Sequence, residues 1–273
     1  MSYDAIAARG LVLLGCGKMG SAMLQGWLAA GLAPAAVWVL DPKPSAWLSA
    51  QEAGGLHLNA GLPPDPAVVL IAVKPQMMAE ALPALAALGG GKTLFLTVAA
   101  GTRIAAYEAV LGDATPIVRA MPNTPAAVGR GIAALVGNAR ASEAQMVQAE
   151  TLLSAVGDTV RLEGEHQMDA VTAVSGSGPA YVFHLIETLA AAGEAEGLPS
   201  DLAMKLAKAT IAGAGELARR AVESPGELRV NVTSPGGTTA AALAVLMDEK
   251  AGFPPLLRRA VHAAAERGRE LGQ

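Results

Sequence analysis

Gly15-Cys16-Gly17-Lys18-Met19-Gly20 has the spacing G-x-G-x-x-G and sits between a short apolar run, residues 11–14, and a helical pattern over residues 21–30. In that setting the first glycine makes a tight turn and the second lets backbone approach a pyrophosphate. The third lets helix and strand pack closely. A helix N-terminus adds unpaired N–H groups that favour phosphate. The chemistry this spacing supports is dinucleotide binding, with Gly15, Gly17, Lys18, Met19 and Gly20 as contacts. A bare glycine turn is the plainer alternative, and the flanking strand and helix weigh against it. Asp41 ends the second apolar run, where an acid accepts hydrogen bonds from the ribose 2′-hydroxyl of NAD. Lys43 could instead meet the 2′-phosphate of NADP, and Asp41-Pro42 could simply begin a turn. The residues leave NADP and NAD both open.

Other strand ends carry further candidates. Ala72-Val73-Lys74-Pro75 closes the third apolar run. Ala72, Lys74 and Pro75 there either back a ribose or nicotinamide or form a solvated strand terminus. Val98-Ala99-Ala100-Gly101 closes the fourth, and small residues such as Ala100 would let a flat ring approach; a tight loop would look the same. Arg119-Ala120-Met121-Pro122-Asn123-Thr124-Pro125 brackets two polar residues with prolines, which fix φ. Those polar residues read equally as ligand contacts and as a turn. Ser234-Pro235-Gly236-Gly237-Thr238-Thr239 precedes a helical pattern. Glycines followed by hydroxyls at a helix start make an anion cradle suited to a small carboxylate, with N-capping by Ser234 or Thr238 as the alternative. Ser175-Gly176-Ser177-Gly178-Pro179-Ala180 reads first as a helix start with close helix crossing, and pocket lining comes second. His57, His166, His184 and His262 lack metal-ligand spacing, so no metal site is expected. Serine-hydrolase and zinc-peptidase motifs are missing.

The elements that must position these residues fall into two rhythms. Short β-type runs at 11–14, 37–40, 68–73, 93–98, 116–120 and 131–136 alternate with helical stretches, which predicts an α/β, doubly wound parallel sheet. From about residue 164 the pattern becomes alanine-rich and helical, over 179–196, 200–224, 238–250 and 253–271. The expected organisation is a dinucleotide-binding domain, residues 1–163, and an all-helical dimerisation and substrate-binding domain, residues 164–273. Across the 273 residues, 52% are hydrophobic, 16% charged and 3% aromatic, so a packed core is expected and disorder is not. Alanine-rich helices bury little area each, which favours pairing with a second copy. A net charge of -4 gives no reason to expect nucleic acid. Cys16, the single cysteine, excludes an intrachain disulfide and fits a reducing compartment. The apolar run before it is too short for a secretory signal of about 7–15 apolar residues. No stretch reaches the ~18 apolar residues of a membrane span. A soluble, cytoplasmic protein without membrane partners is expected.

In order along nearly the whole chain, segments 15–20, 72–75, 99–101, 119–125, 175–181 and 234–239 resemble pyrroline-5-carboxylate reductase. The stretches 121–125 and 234–239 are far more specific than the glycine turn. The resemblance implies a Rossmann domain followed by a helical domain that interlocks in a homodimer, with dimers in some members assembled into larger rings. It implies NAD(P)H-dependent reduction of the cyclic imine 1-pyrroline-5-carboxylate to L-proline, the final step of proline biosynthesis. Asn59 and Asn231 then join Gly17–Gly20, Ala72, Lys74 and Ala100 around the cofactor. Amides near Gly237, Thr238 and Thr239 would hold the substrate carboxylate with the Ser234 hydroxyl nearby. Thr239 would lie beside the ring nitrogen as the catalytic residue, and Glu165 would border the same pocket. Family members often carry a small polar residue where this chain has Asp41, so the usual NADP preference is in question. The rival enzyme reading is a β-hydroxyacid dehydrogenase using Lys205 or Lys208 as proton donor. A dinucleotide-sensing module without chemistry is the non-enzyme reading.

Overall fold

A computed structural model describes residues 3–272. Eight strands form one sheet: β1 (Leu11–Leu14), β2 (Val37–Leu40), β3 (His57–Leu58), β4 (Val68–Ile71), β5 (Leu94–Thr97), β6 (Ile117–Met121), β7 (Gly131–Gly137) and β8 (Gly157–Arg161). The early helices are α1 (Asp4–Arg9), α2 (Lys18–Ala29), α3 (Ala46–Ala50), α4 (Met78–Ala81), α5 (Ile104–Leu111), α6 (Glu143–Leu153) and α7 (Met168–Val171). Then follow α8 (Gly178–Ala195), α9 (Ser200–Arg220), α10 (Pro225–Asn231), α11 (Thr238–Leu246) and α12 (Phe253–Leu271).

The sheet order is β3-β2-β1-β4-β5-β6-β7-β8, parallel throughout except for the antiparallel β6–β7 pair. Chain order reverses between β1 and β4, which makes the doubly wound switch point. All four residues of β1, β4 and β5 are buried, as strands covered by helices on both faces must be. One face packs Leu13, Leu70, Leu96 and Trp27, and the other packs Val12, Phe95, Tyr107 and Met168.

Two strands escape the sequence pattern. β3 is only two residues long and is secured where Trp38 stacks on its register partner His57, ring centroids 4.2 Å apart. β8, Gly-Asp-Thr-Val-Arg, is an edge strand with Asp158, Val160 and Arg161 exposed, so it lacks the continuous apolar run of its buried neighbours. The helix expected over 200–224 ends four residues early, and a short helix beyond it was not expected. α9 stops at Arg220, and α10 restarts behind Ser224, whose hydroxyl and Glu227 form a capping box. Pro225, lacking an N–H, suits a first helical turn.

The chain forms two compact units. The first runs through Gly176 and takes back the chain from Ala265; the second is Ser177–Ala264. The boundary falls later than the change of rhythm near residue 164 because residues 165–176 pack on the first unit. Met168 is buried in its core, Glu165 pairs with Arg119, and Asn123 Nδ2 donates to the Ser175 carbonyl at 3.2 Å. The second unit is purely helical. Its buried apolar cluster is Ala190, Ala203 and Ala207, with Ile186 and Met204 against it.

Candidate active site

The parallel register places the ends of β1, β2, β4 and β5 side by side: Leu14 pairs with Leu40 and Ile71, and Ile71 with Thr97. Gly15–Gly20, Asp41, Ala72–Pro75 and Ala100 therefore lie along one carboxyl edge of the sheet, and Asn59, just past β3, joins them. Ligands of open α/β sheets bind at this edge, beside the switch point.

The glycine turn fits a dinucleotide phosphate. Gly15 has φ +88°, and a Cβ there would press on Val73 at 2.8 Å. A Cβ on Gly20 would collide with the Gly15 carbonyl oxygen. At Gly17 a Cβ would meet nothing within 4 Å, so the space above it is open to a ligand. Gly17 is also the N-cap of α2, with no side chain satisfying the first turn. Free N–H groups and the positive end of the helix dipole thus face that space. Burial pushes the Cys16 thiol up, which keeps it protonated at neutral pH and argues against a nucleophilic role.

Asp41 is built into this turn. Its carboxylate accepts the Cys16 amide at 2.8 Å through one oxygen and the Lys43 amide at 2.8 Å through the other. The Lys43 bond is the turn that Asp41-Pro42 could form by itself; the Cys16 bond ties β2's end to the glycine loop. Asn59, left-handed at φ 50°, clamps Asp41 from both sides: it accepts from Asp41 N and donates to Asp41 O, each at 2.9 Å. An Asn tolerates that conformation better than most residues. A carboxylate with about four lone-pair sites retains capacity for ribose hydroxyls.

Lys74 and Pro75 are exposed, with Lys74 heading a short 3₁₀ turn, while Ala72 donates to Leu14 O at 2.8 Å. Asn123 is committed internally: besides Ser175, it accepts the Ile132 amide at 3.0 Å. Glu165 is committed too, to Arg119 and the Ile104 amide, both through Oε1. Tyr107 and Thr97 escape the sequence reading. Their hydroxyls lie 2.6 Å apart under the β5–α5 loop, and burial raises the Tyr107 phenol above its usual value. A lone tyrosine in an apolar helix gives no sequence signal of that partnership.

In the second unit, Asn231 ends α10, and Ser234 to Thr239 lead into α11. Gly237 is the N-cap with no side-chain capping bond, so neither Ser234 nor Thr238 satisfies the first turn. Gly236 has φ +70°, and Gly237 donates to Ser234 O at 3.0 Å, curling the loop under the helix start. The amides of Thr238 and Thr239 have no intrahelical partner at that position. Ser234, Thr238 and Asn231 are exposed, and Thr239 is half-buried. α8 opens at Gly178 with proline in its first turn, but Ser177 makes no side-chain cap. Lys205 and Lys208, on which the hydroxyacid dehydrogenase reading rests, are exposed on α9.

Known proteins resemble this chain in sequence and fold. A family model described as pyrroline-5-carboxylate reductase dimerisation matches residues 165–271. Another, NADP oxidoreductase coenzyme F420-dependent, matches residues 10–101. A pyrroline-5-carboxylate reductase of Pseudomonas aeruginosa is 41% identical over 268 residues, 96% of this chain and 97% of its own. The chain belongs to the pyrroline-5-carboxylate reductase family. A reductase of the same name from Synechocystis is 45% identical over 206 residues, 76% of this chain and 75% of its own. The solved pyrroline-5-carboxylate reductase of Coxiella burnetii superposes with a TM-score of 0.90 at 33% identity, covering 97% of this chain and 99% of that one. The Plasmodium falciparum enzyme, solved with NADP bound, gives 0.83 at 29% identity over 98% and 99%. The pyrroline-5-carboxylate reductase fold thus accounts for both the doubly wound sheet and the helical dimerisation region. Among the described residues, no helix is long and apolar enough to cross a membrane.

Proposed function

We propose that this chain reduces 1-pyrroline-5-carboxylate to L-proline with NADPH or NADH. The observation that carries the reading is its 41% identity to a reductase of that name over 96% of the chain. The glycine turn and the uncapped start of α11 supply the two binding sites the reaction needs.

The reading assigns the cofactor to Gly15, Gly17, Lys18, Met19 and Gly20 at the pyrophosphate and to Asp41 and Asn59 at the adenine ribose. Ala72, Lys74, Pro75, Ala100 and Asn231 complete that contact set. When bound, NAD(P)H supplies the hydride that the imine carbon accepts. The chain's own part is to bind, align and exclude water. The free amides of Thr238 and Thr239, left open by Gly237, hold the substrate carboxylate with the Ser234 hydroxyl, as helix starts hold anions. The reading puts the Thr239 hydroxyl at the ring nitrogen, where it can donate to the neutral imine or accept from the N–H of the protonated one. A protonated imine is electrophilic enough that alignment, worth about 7–11 kcal/mol in well-oriented reactions, replaces a strong general base.

The functional division falls between residues 163 and 164, a reading supported by the dimerisation model starting at 165. That model also supports a homodimer; assembly of dimers into a larger ring is the finer proposal, read by sedimentation mass. The single buried thiol fits the reducing cytoplasm, which fractionation checks. The direct test of the reaction is NAD(P)H oxidation on adding pyrroline-5-carboxylate to purified protein, with proline as product. Background rates with both cofactors would end this reading.

A further inference from the structure

We propose that Glu165 is a positioning residue for the β5–α5 loop: it sets cofactor affinity through Arg119 and the Ile104 backbone, without touching substrate. The inference rests on the reading that Ala100, inside this loop, borders the cofactor.

The loop spans residues 98–103. Its backbone makes one tight turn, at Ala100 and Gly101. Gly101, at φ +76°, turns it. Its shape is held from outside, by the Thr102 side chain against Tyr107 and by what grips its two ends.

At the strand end, the grip is Thr97. Its hydroxyl lies 2.6 Å from the Tyr107 hydroxyl, accepts the Ala99 amide at 3.4 Å, and is fully buried. At the helix end, the grip is Glu165. Arg103 is the N-cap of α5 and provides no capping side chain. Glu165, 61 residues later in sequence, takes the Ile104 amide instead, at 2.8 Å. The same oxygen accepts Nη1 of Arg119 at 2.6 Å. Arg119 is only 4% exposed, and a buried guanidinium stripped of its carboxylate is strongly unfavourable. Arg119, fixed in β6, thus fixes Glu165, and Glu165 fixes where the loop ends and α5 begins. An anionic carboxylate at a helix N-terminus also suits the helix dipole. With Oε1 accepting two internal bonds, Glu165 is built as a strut.

The test is NADPH titration by fluorescence beside steady-state kinetics, on Glu165→Ala and Glu165→Gln in the full chain. Glu165→Ala is expected to weaken NADPH binding tenfold or more, while KM for pyrroline-5-carboxylate changes less than threefold. Glu165→Gln keeps an acceptor for Ile104 and should fall between it and wild type. NADPH affinity within twofold of wild type in folded, dimeric Glu165→Ala overturns the proposal. So does a raised substrate KM with cofactor affinity unchanged, the signature of direct substrate contact. Should Glu165→Ala fail to fold, Tyr107→Phe loosens the other grip: a threefold weaker NADPH affinity supports the proposal and an unchanged one overturns it. Wild-type protein that binds NADPH but reduces no pyrroline-5-carboxylate would refute the assigned reaction and leave the affinity comparison intact.

Discussion

Gly237 matters for what it lacks. A side chain there would meet the Ser234 carbonyl at 3.2 Å and stand over the open first turn of α11. Its φ of -82° is ordinary, so the effect of a substitution is blockage and not backbone strain. Gly237→Val is expected to raise KM for pyrroline-5-carboxylate tenfold or more, about 1.4 kcal/mol of binding, while KM for cofactor stays within threefold; steady-state kinetics varying each substrate reads both. Asp41 poses the opposite case, a charge where the cofactor's ribose is expected. A carboxylate repels a 2′-phosphate, so Asp41→Ser should shift the NADPH-to-NADH ratio of kcat/KM upward by about tenfold. Because Asp41 also holds the Cys16 and Lys43 amides, both absolute values should fall. An unchanged ratio would show that Asp41 serves the turn alone.

α2 and β1 show how an element carries a site. The helix begins at Lys18, directly off the glycine turn, and Gly20 sits against the Gly15 carbonyl with no room for a methyl group. Trp27, near the other end, is fully buried and donates Nε1 to the Leu152 carbonyl at 2.8 Å. One end is thus pinned by close approach and the other by burial. Gly20→Ala must push helix and strand apart, which overpacking data put at about 1–3 kcal/mol. The expected outcome is a lower urea midpoint together with at least tenfold weaker NADPH binding, read by fluorescence titration. The apolar run before this turn was legible because a strand buried on both faces is written in uninterrupted aliphatic residues. β8 was not, because an edge strand with exposed Asp158 and Arg161 looks like loop. α10 itself lies outside the expected helices, although Ser224, Pro225 and Glu227 together spell a helix start.

The second unit is thin as a fold by itself. Three alanines form its buried cluster, while Phe183 is 59% exposed and Leu206 48%. Val182, Leu202, Leu217 and Val245 are exposed as well. Apolar surface on this scale marks an association face, in keeping with the dimerisation model over residues 165–271. Phe183→Asp combined with Leu206→Asp is expected to convert the dimer to monomer in sedimentation analysis and to lower Tm. A dimer unchanged in mass would place the interface elsewhere on the helices.

The sequence by itself determined the alternation that makes a doubly wound sheet, the glycine turn and the glycine-threonine helix start. Each of these is local, set by side-chain periodicity or by φ angles and close approaches that glycine alone permits. Only the tertiary structure decided that Glu165 belongs with Arg119 and Ile104, that Asn59 clamps Asp41, and that residues 165–176 remain on the sheet. Those pairings join segments far apart in the chain. A buried charge or amide finds its partner by proximity in the folded state, which residue order does not encode in any local pattern.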